Sequence, residues 1–66
     1  MKNFSEIDLT IIAFLSDFGA KCVKEISQEF KIDKALVYKS LNNLEVLGYV
    51  ANDEERPKKY RLIKEI

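Results

Sequence analysis

A chain of 66 residues with a single cysteine and no histidine has no staple to hold it, so it must fold on apolar packing. Cys22 cannot close an internal disulfide, and its isolation fits a reducing, intracellular setting. A zinc site of the usual Cys/His kind cannot be assembled from one thiol. A domain this short buries only about 60% of its unfolded surface. Self-association is therefore the expected supplement to a small core. Hydrophobic residues make up 47% of the chain, enough for that core, and charged residues, at 33%, suit a solvated surface. No apolar run approaches the roughly 20 residues that span a bilayer. The opening "MKNFSEIDLT" carries acids where a secretory signal needs an unbroken apolar stretch. The expectation is one cytoplasmic domain over residues 1–66.

Periodicity divides the chain. Ser5 and Asp8 have the spacing of a capping box that opens a helix. Ile7, Ile11, Phe14, Leu15 and Phe18 then form one apolar face, and Gly19 is placed to end it. Leu9 and Ile12 fall off that stripe; they either widen the buried face, under the later strands, or form a second contact surface. "AKCV" reads as an extended linker or minor strand. "VKEISQEF" is a short helix with Val23, Ile26 and Phe30 inward, and with Glu25 and Glu29 on a solvated face. "KID" is a turn, in which Asp33 can cap the next helix by accepting from the amide of Ala35 or Leu36. That helix runs to Leu47 and stops at Gly48. "YVAN" and "KYRLI" are strand-like, and the charged "DEERPK" between them makes a hairpin with a polar loop.

The stretch "KALVYKSLNNLEVLGYV" gives one helix two surfaces. Val37, Ser40, Leu41, Leu44 and Leu47 share a core-facing side, while Ala35, Lys39, Asn42 and Asn43 lie opposite, with Tyr38 at their edge. Leu36 sits at the core edge and is expected to pack. Helix, three-residue turn and longer helix constitute a helix-turn-helix, and the hairpin directly after it makes the motif winged. The expected class is α+β, mainly α: three helices and a C-terminal β-hairpin wing, with a possible short strand between the first two helices.

"VKEISQEFKIDKALVYKSLNNLEVLGYV" followed by "RPKKYRLI" closely resembles the winged helix-turn-helix transcriptional regulators of the MarR and TrmB sort, from about Phe4 to Ile63. The resemblance implies that Lys34, Ala35, Leu36, Tyr38, Lys39 and Asn42 face DNA bases or phosphates. It further implies that Arg56, Lys58 and Lys59, in a wing over residues 53–59, lie on the backbone or neighbouring minor groove.

The side-chain chemistry agrees in part. Asn42 and Asn43 each offer a donor and an acceptor, the pairing that suits adenine in the major groove. Lys34 and Lys39 can reach guanine acceptors or phosphates, and Tyr38 a phosphate or a thymine methyl. Each of these residues, taken singly, also fits an ordinary solvated helix surface. In the wing, Asp53, Glu54 and Glu55 repel phosphate while Arg56, Lys58, Lys59 and Arg61 attract it. Strand alternation puts Lys59 and Arg61 on one face and Lys58 with Tyr60 on the other. Tyr60 is expected on the core beside Leu62, but the two are not expected to share a face, and which of them turns inward stays open.

The formal net charge is zero, but it is segregated. Residues 1–33 hold four lysines and six acids, a balance of −2; residues 34–66 hold seven cations and five acids, a balance of +2. The bias points towards nucleic acid. It is small enough that one copy would make few phosphate contacts, so a homodimer reading two half-sites is expected. Its contact could lie on the first helix, the wing edge or the termini. Catalysis is not expected, since histidine, a Gly-rich phosphate loop and a metal-ligand cluster are all missing. No cofactor is implied, and no small-molecule ligand is evident. The reading is a sequence-specific double-stranded DNA-binding regulator. Its rival is a winged-helix protein-interaction module, with Leu9, Ile12 and Val46 meeting a partner protein.

Overall fold

The computed structural model describes residues 4–64; the termini, one of the candidate self-association surfaces, lie outside them. Three helices are laid against a small sheet: α1 (Glu6–Phe18), β1 (Lys21–Cys22), α2 (Val23–Phe30), α3 (Lys34–Val46), β2 (Val50–Asn52) and β3 (Lys59–Leu62). The architecture is a winged helix-turn-helix. Among the described residues, no helix is long and apolar enough to cross a membrane.

Local chemistry fixes the helix ends. The Asp8 amide donates to Ser5 Oγ, and the Ser5 amide returns a bond to Asp8 Oδ2, each at 3.1 Å. This reciprocal box satisfies donors that the first helical turn leaves free. Asp33 Oδ1 accepts from the Ala35 amide at 3.1 Å and starts α3 in the same way. Between α2 and α3 the turn is drawn tight at Lys31, whose φ is +54°. Ser27 closes it twice: its carbonyl accepts from the Ile32 amide at 3.1 Å, and its hydroxyl donates to the Ile32 carbonyl at 2.5 Å. The C-terminal exit of α3 needs a left-handed residue, which Gly48 supplies at φ +85°.

Ile11, Ile26, Val37, Leu41 and Leu44 are fully buried, so each helix places at least one side chain in the common core. The sheet closes one side, with β3 central. Antiparallel pairing sets Lys21 opposite Tyr60 and Cys22 opposite Lys59, and on the other edge Val50 opposite Leu62 and Asn52 opposite Tyr60. The linker strand thus belongs to the wing sheet. Cys22 is a buried free thiol.

Four expectations need correcting. Phe18 is 66% exposed, although the wheel put it inward; it sits in the last turn of α1, leaning on Phe14 with ring centroids 5.2 Å apart. Leu36 is 47% exposed instead of packed. Glu25 is more than solvated surface, since its Oε1 accepts from the Cys22 amide at 3.1 Å and caps α2. That backbone bond from Cys22 is the main reason its carboxyl lies below the usual range. Finally, Tyr60 and Leu62 both turn towards the core, because residues two apart on a strand share a face. Of the pair left open on α1, Ile12 joins the core and Leu9 stays half exposed.

Candidate nucleic-acid interface

One polar contact ties the start of α1 to the middle of α3. Ser40, core-facing and buried, donates its hydroxyl to Oδ1 of buried Asp8. Both Asp8 oxygens are thereby used, one on the α1 cap and one on α3. The core thus holds α3 by its inner face, through Val37, Leu41, Leu44 and this hydroxyl, and leaves the outer face uncommitted.

That outer face has three zones. Ala35, Lys39, Asn42 and Val46 follow the ridge pointing directly away from the core, all exposed, with Val46 at 86%. On one flank Leu36, Lys39 and Asn43 overlook a groove of about 690 Å³ against Phe4 and Ile7 of the α1 entry. On the other flank Lys34 and Tyr38 face the wing across a cleft of about 460 Å³, opposite Arg56, Pro57 and Lys58. All ten sequence-predicted site residues are exposed.

They are not equivalent. The cleft gathers Lys34, Tyr38, Arg56 and Lys58, and it adds Lys24 from α2. Sequence reasoning did not single out Lys24, and no local signal marks it; only the fold carries α2 to the cleft mouth. Four cations against Glu54 and Glu55 give this cleft a net positive lining. Lys59 is absent from it. Its nearby charge helps to keep the carboxyls of Glu25 and Asp53 low. Tyr60 lies beneath, its hydroxyl pushed up first by burial, then by the nearby charge of Glu45 and by Tyr38.

The wing loop over residues 53–58 is folded by its own acid. Asp53 Oδ1 accepts from the amides of Glu55 and Lys59, both at 3.1 Å. These backbone donors are the main reason its carboxyl is held below the ordinary 3.8. Such a depressed group stabilises the loop at neutral pH, an effect lost as pH falls through the native value.

The model of a family described as "Sugar-specific transcriptional regulator TrmB" matches residues 2–65. Among solved structures, the Zalpha domain of PKZ from Carassius auratus, in complex with Z-DNA, superposes with a TM-score of 0.84. It is 31% identical, over 88% of this chain and 94% of that one. The transcriptional regulator Tm0710 from Thermotoga maritima also superposes at 0.84, at 20% identity, over 92% of this chain and 44% of that one. At that identity the second likeness is one of fold. No curated protein matches the chain significantly.

Proposed function

The chain belongs to the TrmB family of transcriptional regulators, and from that premise we propose that α3 enters the major groove of duplex DNA while the wing lies on the backbone or neighbouring minor groove. Membership sets the protein among DNA-binding regulators, not enzymes. The observation that carries the finer reading is the cleft beside α3, where Lys24, Lys34, Arg56 and Lys58 surround a space open to solvent, with exposed Asn42 on the ridge alongside. A duplex strand seated there would meet cations from three elements while base edges met Asn42 and Asn43. The protein acts as a homodimer in this reading, since a neutral chain with so few cations gains affinity by doubling its phosphate contacts, and with it a steeper dependence on salt.

The test is binding to random and to selected duplexes across a salt series, with solution mass recorded alongside. Submicromolar binding that falls steeply with salt, by a dimer, is the expected result. No binding at low salt would transfer the function to a protein-interaction surface. Two substitutions apportion the contact. Asn42→Ala is expected to cost about 1–3 kcal/mol at a selected site and to relax preference at one base pair; unchanged preference would remove Asn42 from readout. Replacing Lys58 and Lys59 together with alanine is expected to weaken binding to every sequence and flatten the salt slope. Because Lys58 lines the cleft and Lys59 does not, most of that change should reproduce with Lys58→Ala alone.

A second DNA form is favoured by one observation. The Zalpha domain that shares 31% of its residues with this chain was solved on Z-DNA. Including an alternating CG duplex held left-handed in the salt series separates the two. Preference for that duplex would make the cleft a reader of backbone shape, with base-edge contacts secondary.

A further inference from the structure

The wing opens with three acids, an odd choice beside phosphate, yet the first of them and the asparagine before it are both engaged in bonds within the protein. Asn52, the last residue of β2, donates from Nδ2 to Glu45 Oε2 on α3 at 2.6 Å. Its Oδ1 accepts from the Glu54 amide at 3.0 Å, holding a residue whose φ is +60°. Asp53 takes the amides of Glu55 and Lys59, and its own amide donates to the Lys59 carbonyl at 3.2 Å. The loop is closed at its base by Asp53 and fastened to α3 by Asn52. Arg56, Pro57 and Lys58 are left at the tip, facing Lys34 and Tyr38.

We propose that Asp53 and the Glu45–Asn52 pair are positioning residues for DNA binding, fixing the wing against α3 so that Arg56 and Lys58 meet the backbone at a set distance from the base-reading face. The role rests on the DNA reading above and deepens it. Ordering a loose six-residue loop at the moment of binding would oppose association; a loop ordered on folding removes that opposition. Asp53 thereby gains a reason to be there. Glu45 receives an amide donor and Asp53 two backbone donors, so part of their negative charge is met inside the protein.

Simple electrostatics and positioning give opposite signs for one substitution. If Asp53 were only a repulsive charge, Asp53→Ala would bind DNA more tightly, with a steeper salt slope. Positioning predicts weaker binding, about tenfold at low salt, and a slope flatter by about 2 as the Arg56 and Lys58 contacts loosen. Asp53→Asn keeps an acceptor for the two amides while removing the charge, and is expected to bind at least as well as the wild type. Hydrogen exchange at the Glu55 and Lys59 amides of the free protein should quicken in Asp53→Ala and stay slow in Asp53→Asn. Glu45→Ala and Asn52→Ala should each weaken binding, and the double variant should be no weaker than the worse single one. Tighter or unchanged binding by Asp53→Ala, with unaltered exchange, overturns the positioning role alone. Failure of the wild type to bind any duplex overturns the DNA reading, and this role with it.

Discussion

Leu41→Ala is expected to shift the urea midpoint further than any surface change discussed above. Leu41 is fully buried in the middle of α3, in one cluster with Ile11, Ile26, Val37 and Leu44. Removing three carbons there costs about 2–5 kcal/mol, because the transfer energy is lost and a cavity remains. A chain of 66 residues has only about 3–10 kcal/mol in total on the usual per-residue scale. The variant should therefore sit at or near its unfolding transition at ordinary temperature. Val46→Ala, five residues on and 86% exposed, should stay within about 0.5 kcal/mol of the wild type. A Leu41→Ala loss below about 1 kcal/mol would mean that the core closes around the gap, against ordinary cavity behaviour.

Ser40→Ala carries the second large effect, by a different route. It deletes the hydroxyl that donates to Asp8 Oδ1 and leaves that oxygen buried beside a methyl group. A buried acceptor stripped of its donor costs about 1–3 kcal/mol, more when charged. Asp8→Ala alone should also destabilise, since it breaks the α1 capping box along with the tie to α3. The double variant should fall short of the sum of the two singles, because the shared bond can be lost only once. Denaturant titration of the four proteins reads this directly; strict additivity would mean that the two side chains do not interact.

These cases also mark where the sequence was legible. The Ser5/Asp8 box, the Asp33 cap and the Gly48 stop were readable because each depends on residues within three or four positions. The core positions of α3 were readable from period alone. What failed depended on neighbours that period does not name. Phe18 has the correct phase for burial, but it lies in the last turn, beyond full cover. Leu36 lies on the side of α3 where a groove opens instead of a helix. Lys24 joined the cleft only through the fold, while Lys59, adjacent in sequence to Lys58, does not line it. Asp53 shows the limit most clearly. As a letter it is a charge of the wrong sign; in the fold it is the acceptor around which the loop is wound.

The division of α3 into a buried side and an outer ridge has a consequence for how such a protein can change over generations. Ala35, Lys39 and Asn42 are exposed and take no part in the Asp8–Ser40 bond, so mutations there escape the purge that removes unstable variants. Copies arising by duplication can drift apart at these positions while folding alike. New targets are then reached by single steps through stable intermediates, and the ancestry of the copies stays written in Val37, Leu41 and Leu44.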